Sequence, residues 1–338
     1  MILEAIDKIT RKVNLSQEEM ESVMGEIMMG NAATSQIVNF LSALSEKGET
    51  IDEITAAARI MRCHAVKISS EKKTVLDTCG TGGDKKDTFN ISTVVAFVVA
   101  GCGVTVAKHG NRSVSSCCGS ADILEAAGVK INLSNEKIER CLNDVGIAFL
   151  FAPNMHPAMK HAMAARKEIG KRTIFNILGP LCNPARATHQ LIGVFSPALT
   201  PVLAQVAGNL GVKHVLVAHG KDGLDEITTT DKTMISEFSS GKLSNYEISP
   251  KDFGIKVASP EELQGGTVHD NVQIMFEVLN SKPGPARDIV ILNASAALYA
   301  ADRVGAIKEG ISLAIDSIDS GKALTKLALL KELSNEKN

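Results

Sequence analysis

The chain has 338 residues, 44% of them hydrophobic and 22% charged. That is long enough for a sizeable core and two domains, and it excludes a peptide-scale scaffold, a collagen-like repeat and a mostly disordered chain. With 36 basic and 38 acidic residues and a formal charge of -2 it offers no global basic field for nucleic acid, only room for a local basic pocket, and 4% aromatic residues with no Trp weaken the case for base-stacking platforms.

The N-terminal MILEAIDKITRKVNL alternates apolar and polar positions and carries Glu4, so it reads as an amphipathic helix and not as a signal peptide. Through residue 69 the pattern is helical. Ser16 with Glu19 and Thr50 with Glu53 form capping boxes, and Ile37, Phe40, Leu41 and Leu44 recur at helical spacing. From about residue 74 short apolar runs alternate with helical stretches. The runs are Thr74–Leu76, Val104–Ala107, Ile147–Phe151, Leu191–Phe195 and Val215–Ala218, and Ser92–Ala100 and Ser134–Val145 are helix-like. This alternation predicts a mainly parallel sheet covered by helices, whose ligands sit beyond the carboxyl ends of the strands. Ala162–Asn176 reads as a helix and a connector, and the segments after about 286 as helices that pack back on the sheet. The longest apolar run, Val94–Cys102, is about half the length a bilayer span needs. The seven cysteines, at 63, 79, 102, 117, 118, 141 and 182, show no CxxC spacing. A soluble protein in a reducing cytoplasm is the expectation.

Polar motifs fall at the ends of these runs. DTCGTGGDKKDTFNIST (77–93) places Gly80, Gly82 and Gly83 where backbone N–H groups can surround an anion. Asn90, Ser92 and Thr93 add short donors at a helix N-terminus. The loop matches neither GxxxxGK[ST] nor GxGxxG, and taken alone it could equally be a capped glycine turn. KHGNRSVSSCCGSAD (108–122) puts Lys108 at the end of a buried strand, where a merely structural lysine is costly. Ser120 either caps the following helix or meets a phosphate. Asp225 and Glu226, in HGKDGLDEITT (219–229), are neighbouring carboxylates that suit Mg²⁺, although an acidic turn reads the same way in isolation. Arg166 on its helix is a natural bidentate partner for a carboxylate, or an ordinary ion-pair residue. His109 and His156 belong to no recognisable triad.

DTCGTGGD, FNIST, VAKHGNRSVSSCCGSADILEAAGV, FLFAPNMHPAMKHAMAARKEIGKRTIFNILGPLCNPA and HGKDGLDEIT occur in one order across nearly the whole chain. On these motifs the sequence closely resembles the anthranilate phosphoribosyltransferase family. The resemblance implies a nucleoside phosphorylase-like α/β fold. In it a small all-helical domain (1–69, joined by helices from about 162–184) accompanies a larger α/β domain (70–335) with a central mainly parallel sheet. It implies a glycosyltransferase that moves the phosphoribosyl group of phosphoribosyl pyrophosphate (PRPP) to the amine of anthranilate in tryptophan biosynthesis. The implied PRPP positions are Gly80, Gly82, Gly83, Asp84, Thr88, Asn90, Ile91, Ser92, Thr93, Lys108, His109, Gly110, Asn111, Arg112, Ser113, Val114, Ser115, Ser116 and Ser120. Gly80, Asn111 and Arg166 match anthranilate positions, with His109 and Gly179 lining the same channel. Ser92, Asp225 and Glu226 match positions associated with Mg²⁺. The implied catalysis uses Lys108 for charge stabilisation and no side-chain general base. The implied partners are the two substrates and a second copy of the chain through the helical domains, with no nucleic acid and no membrane. Cys117 and Cys118 replace a polar pair, often Lys-Ser, that the family carries there.

Two rival readings remain at this level. A pyrimidine nucleoside phosphorylase shares the fold and parts of both loops but carries a further C-terminal domain. A non-catalytic nucleic-acid-binding paralogue would show a basic strip and a damaged magnesium or acceptor site, whereas Asp225, Glu226 and Arg166 are intact here.

Overall fold

The computed structural model describes residues 1–113 and 118–336. Four helices come first, α1 (Ile2–Thr10), α2 (Gln17–Met28), α3 (Thr34–Lys47) and α4 (Ile51–His64). Both expected capping boxes form. Ser16 Oγ accepts from the Glu19 N–H at 3.2 Å, Thr50 Oγ1 accepts from the Glu53 N–H at 3.2 Å, and each glutamate accepts the cap's own N–H in return. Glu53 is fully buried, yet its charge is compensated. Its carboxylate accepts from Lys47 Nζ at 2.9 Å and from the Leu15 N–H at 2.9 Å. Removing one partner of such a pair would leave a buried charge uncompensated.

The rest of the chain runs β1 (Val75–Asp77), α5 (Ile91–Gly101), β2 (Thr105–Gly110), α6 (Ser120–Ala126), α7 (Asn135–Arg140), β3 (Ile147–Phe151), α8 (Ala152–Met155), α9 (Lys160–Ile169), α10 (Phe175–Leu178), β4 (His189–Gly193), α11 (Leu199–Asn209) and β5 (His214–Gly220). It continues with β6 (Thr233–Ser239), β7 (Lys242–Ile248), α12 (Val268–Leu279), α13 (Pro285–Ala300), α14 (Ile307–Asp319) and α15 (Lys322–Asn335). The strand order is β3-β2-β1-β4-β5-β6-β7. The five strands expected from the apolar runs pair in parallel. The hairpin β6–β7 adds two antiparallel strands that the apolar-run pattern did not reveal. Its turn residues Ser240 and Gly241 both have positive φ, 51° and 76°, as a two-residue turn matched to strand twist requires.

The pleat sorts β4 and β5 between two cores. Leu191, Leu216 and Ala218 join the cluster built on α5 and α13–α15, whereas Ile192, Val194, Val215 and Val217 join the cluster that runs through α11 into α1–α4. The helical domain is therefore continuous with one face of the sheet. Among the described residues no helix is long and apolar enough to cross a membrane.

The amino ends of β4 and β5 hold an ionic network in which His189 and His214 are buried and Asp302 is exposed. His214 Nδ1 lies 2.7 Å from Asp302 Oδ1 and its Nε2 lies 3.1 Å from Glu237 Oε1. Carboxylates only accept, so both ring nitrogens donate and the ring is an imidazolium. Burial works against this charge, but the two carboxylates more than offset it and raise the pKa of His214. A raised histidine pKa contributes stability that is fully present below the unfolded value near 6.5 and is lost as pH rises through the folded value. Burial lowers the pKa of His109, His156 and His189, which act with the opposite sign. The readout is therefore the difference in Tm between wild type and His214→Gln. That gap is expected to be wider at pH 6 than at pH 8, by about 1–2 °C for a stabilisation of about 1 kcal/mol in a chain of this length. An equal gap at both pH values would mean that His214 is neutral in the folded protein.

Candidate active site

The chain leaves β1 outward to β2 and β3, then returns to the far side of β1 to form β4. The strand order reverses between β1 and β4, which opens a crevice at their carboxyl ends. Asp77 closes β1 and is fully buried. Its Oδ1 accepts the N–H groups of Cys79 at 3.1 Å and His109 at 3.2 Å, and its Oδ2 accepts from Asn183 Nδ2 at 2.7 Å. Burial outweighs Lys108 and these donors and pushes the Asp77 carboxyl up to about 6. Asn183 Nδ2 also donates to the Ala107 carbonyl at 2.8 Å, so the pair fixes the ends of β1 and β2 together. Neither Asp77 nor Asn183 was singled out by the sequence reading. The available signal was an acidic residue at a buried strand end and an Asn-Pro in a rigid connector.

The Gly-rich loop packs against the end of β4 at backbone distance. The Thr81 N–H donates to the Gly193 carbonyl at 2.8 Å. A Cβ at Gly80 would stand 2.8 Å from that same oxygen, and one at Gly193 only 1.6 Å from the Asp225 carbonyl oxygen. Three loops thus meet where no side chain fits between them. Gly82 and Gly83 follow with φ of +65° and +83°. Asp84 Oδ2 then accepts the Asp225 N–H at 3.2 Å, which ties the Gly-rich loop to the acidic loop after β5. That acidic loop is held from behind by Asn293, which accepts the Ile227 N–H at 3.0 Å and donates to the Ile227 carbonyl at 2.8 Å.

Lys108, on β2, is buried and donates from Nζ to the Thr78 carbonyl at 2.8 Å and to Ser92 Oγ at 3.0 Å. Glu226 faces the same place. Burial pushes its carboxyl up to about 7 although Lys108 and the Ser92 N–H favour its charge. Asp225 is raised well above the usual carboxylate range by burial and by the adjacent Asp84 and Glu226. Asp84, Ser92, Lys108, Asp225 and Glu226 are thus brought together, with more negative charge than Lys108 offsets.

The remaining predicted positions frame this centre. Thr88 forms an isolated antiparallel bridge with Gln264. Asn90 caps α5, its Oδ1 accepting the Thr93 N–H at 3.3 Å, while its own N–H donates to Asn271 Oδ1 at 2.8 Å. Ile91 opens α5 and is buried, and Thr93 Oγ1 is a buried hydroxyl without a partner among the described residues. Gly110 ends β2, and the Asn111 carbonyl accepts from Ser120 Oγ at 3.4 Å. Arg112 turns away toward α6, pairing with Asp122 at 2.9 Å and Glu125 at 2.6 Å, and the Ser113 N–H donates to Asp122 Oδ2 at 3.1 Å. Val114, Ser115, Ser116 and Cys117 lie outside the described residues.

On the other wall, Arg166 on α9 is half-buried over the Phe175 ring, with its guanidinium carbon 5.5 Å from the centroid. Burial lowers its pKa, and among the described residues it meets no carboxylate, so it is available to an anionic group. His109 Nε2 and His156 Nε2 are 3.2 Å apart, one donating and the other accepting. Burial pushes the two rings down to about 3 and about 4, so both are neutral. Gly179, just after α10, presents its backbone to the His109 ring.

Among the described residues one cluster of metal-ligating side chains meets within ligand reach. Asp77, Cys79 and His109 each offer a ligand atom within 4.8 Å of the others. The Asp77 oxygens already accept three N–H groups, and desolvation pushes the half-buried Cys79 thiol up to about 12. Mg²⁺ takes oxygen ligands and does not suit this set. The oxygen donors of Asp84, Asp225, Glu226 and Ser92 are of the type Mg²⁺ takes, and a divalent cation would offset the negative charge that desolvation there makes costly.

Residues 72–324 match the glycosyl transferase family α/β domain, and residues 3–65 match the helical bundle domain of the same family. The chain is 51% identical over 336 residues to an anthranilate phosphoribosyltransferase of Alkaliphilus metalliredigens, covering 99% of each. The chain belongs to the anthranilate phosphoribosyltransferase family. The solved enzyme of this family from Thermus thermophilus superposes with a TM-score of 0.93 at 39% identity, over 98% of this chain and 99% of that one. The Saccharomyces cerevisiae enzyme, solved in complex with PRPP and Mg, gives a TM-score of 0.89 at 26% identity over 98% and 97% of the two chains. It has also been solved in complex with 4-fluoroanthranilate. The family architecture, a small helical domain beside a larger α/β domain with a mixed, mostly parallel sheet, is the one seen here.

Proposed function

We infer that the protein transfers the 5-phosphoribosyl group of PRPP to the amine of anthranilate, giving N-(5-phosphoribosyl)anthranilate and pyrophosphate in tryptophan biosynthesis. The observation that carries this reading is the meeting of Lys108, Ser92, Asp84, Asp225 and Glu226 with the Gly80–Gly83 loop at the β1/β4 switch point. Family membership across the whole chain supports it.

PRPP is assigned to the Gly-rich loop (Gly80, Gly82, Gly83, Asp84), to the segment from Thr88 through the α5 N-terminus at Asn90–Thr93, and to the loop from Lys108 to Ser116 with Ser120. Within that loop Arg112 is committed to Asp122 and Glu125, so its contribution is through the backbone. Anthranilate is assigned to Gly80, Asn111 and Arg166, with the neutral His109 and Gly179 lining the approach. The Arg166 guanidinium pairs with the anthranilate carboxylate and the ring packs on apolar surface. Ser92, Asp84, Asp225 and Glu226 would hold Mg²⁺, which when bound supplies positive charge against the pyrophosphate.

In the reaction the amine lone pair attacks C1 of the ribosyl ring from the face opposite pyrophosphate. The C1–O bond breaks with its electron pair leaving on pyrophosphate, C1 inverts, and the amine gives up one proton to solvent or to the leaving group. Positive charge grows on the ring while the bond breaks. Lys108 and the loop N–H groups stabilise the negative charge on the departing oxygens. The aromatic amine is a free base at neutral pH, so no general base is needed, in accord with His109 and His156, which burial keeps neutral. Orientation of the two substrates carries much of the rate.

Residues 1–69, joined by helices from about 162–184, are assigned as the helical domain and 70–335 as the α/β catalytic domain, with a second copy of the chain docking through the helical domain. The six described cysteines are free thiols, in keeping with a reducing cytoplasm. The assay that tests the function incubates the protein with anthranilate, PRPP and Mg²⁺ and follows anthranilate fluorescence, beside a parallel incubation with thymidine and phosphate. Loss of fluorescence with PRPP alone is expected. Thymidine cleavage without anthranilate consumption would assign the chain to phosphorolysis instead. Arg166→Ala is expected to raise the KM for anthranilate about tenfold or more, the loss of a charge-assisted hydrogen-bonded pair, and to leave the KM for PRPP within about twofold. Normal anthranilate kinetics with impaired PRPP use would reverse that assignment.

A further inference from the structure

Arg172 lies in the connector between α9 and α10, exposed to solvent, yet it is committed to two partners inside the protein. Its guanidinium donates to the Gly83 carbonyl oxygen and lies 3.8 Å from the centroid of the Phe195 ring. Phe195 follows β4, and its own N–H donates to Thr81 Oγ1 at 3.2 Å. From behind, Ser45 Oγ on α3 donates to the Arg172 carbonyl at 3.5 Å. Among the described residues Arg172 forms no ion pair with a carboxylate. An exposed arginine held this way gains little stability but is fixed in direction, because its planar fork both stacks and donates.

The position of that contact matters because of the peptide it holds. A trans peptide is planar, with its C=O and N–H pointing opposite ways. Holding the Gly83 carbonyl therefore aims the Asp84 N–H in the opposite direction, and it does so at a glycine with φ of +83° that has no side chain to restrict it. Asp84 is the residue whose carboxylate accepts the Asp225 N–H. Thr81 already fastens the other end of the loop to Gly193. Arg172 is the contact that fastens its Gly83–Asp84 end to the segment carrying Arg166.

We propose that Arg172, braced by Phe195, is a positioning residue that keeps the Gly82–Asp84 turn in the shape that receives the pyrophosphate of PRPP. The proposal rests on the function inferred above and names a residue that neither the family motifs nor the contacts of the acidic centre assign. Without the latch the backbone donors are still present but must be ordered when PRPP binds, and the cost falls on PRPP and not on anthranilate.

The test is steady-state kinetics on the full chain. Wild type that fails to consume anthranilate with PRPP would refute the function itself. With active wild type, Arg172→Ala is expected to raise the KM for PRPP about tenfold, which is about 1.4 kcal/mol, with the KM for anthranilate within about twofold. Arg172→Lys keeps a donor but loses the planar stack, and its KM for PRPP should fall between the two. Phe195→Leu should shift the KM for PRPP in the same direction by less, and the double variant should be no worse than Arg172→Ala, since Phe195 acts through the arginine. Should Arg172→Ala not fold, the Lys and Leu variants carry the same comparison. An unchanged KM for PRPP, equal shifts for both substrates, or additive effects in the double variant would overturn the proposal.

Discussion

Asp225→Asn and Glu226→Gln are each expected to cut magnesium-dependent turnover on the order of 10²–10³-fold, the scale of losing one charge-stabilising group in a closed site, while the protein folds at least as stably as wild type. The two halves of this expectation have one cause. Both carboxylates are half-buried in the crevice, and desolvation there raises both proton affinities, Glu226 to about 7 and Asp225 well above its usual range. Their charge is therefore costly in the folded protein without a cation. Replacing one by its amide keeps the shape and removes the repulsion, so the Tm should stay level or rise by a few °C. Function retained at the expense of stability is the usual signature of such a centre. The checks are initial rates across a magnesium titration and a thermal melt on the same samples. Wild-type magnesium dependence in Asp225→Asn would remove that residue from the metal site. A marked loss of Tm would mean that its carboxylate is chiefly structural.

Lys108→Met should be comparably severe. The methionine keeps most of the apolar stem and removes the ammonium that spans the Thr78 carbonyl and Ser92 Oγ. Two effects then add. The departing pyrophosphate loses the fixed positive charge proposed to stabilise it, and Glu226 loses the cation that partly offsets its desolvation. A fall in kcat on the order of 10²–10³-fold is expected, with a raised KM for PRPP and little change in the KM for anthranilate. Turnover within about threefold of wild type would show that the lysine only braces the strand end.

The parts of the fold that were legible in the sequence are those written in local patterns. The five parallel strands are short apolar runs because both faces of the sheet are covered, and the two capping boxes fix the starts of α2 and α4. The hairpin β6–β7 escaped because it lies at the sheet edge. TMISEFS and KLSNYEI mix polar and apolar residues, and β7 is largely exposed, so neither forms an apolar run. Ser240–Gly241 was the available turn signal. In the site, the loops announced themselves through glycines, a buried-strand lysine and paired carboxylates. The clamps that shape those loops did not. Asp77 meets Asn183 across 106 positions, and His109 meets His156 across 47, and no local spacing encodes such pairs. The direction of Arg112 was likewise open. Its guanidinium is folded back on Asp122 and Glu125 of α6, ten and thirteen positions away, in a direction no local spacing encodes.

Calorimetric titration of PRPP into the full-length protein, with and without Mg²⁺, tests most directly the idea that these loops form one phosphate-and-cation pocket. The account predicts saturable binding that needs the metal, that Asp225→Asn weakens strongly and that Arg166→Ala leaves nearly unchanged. PRPP binding that is absent, or that is equally tight without magnesium and in Asp225→Asn, would contradict it.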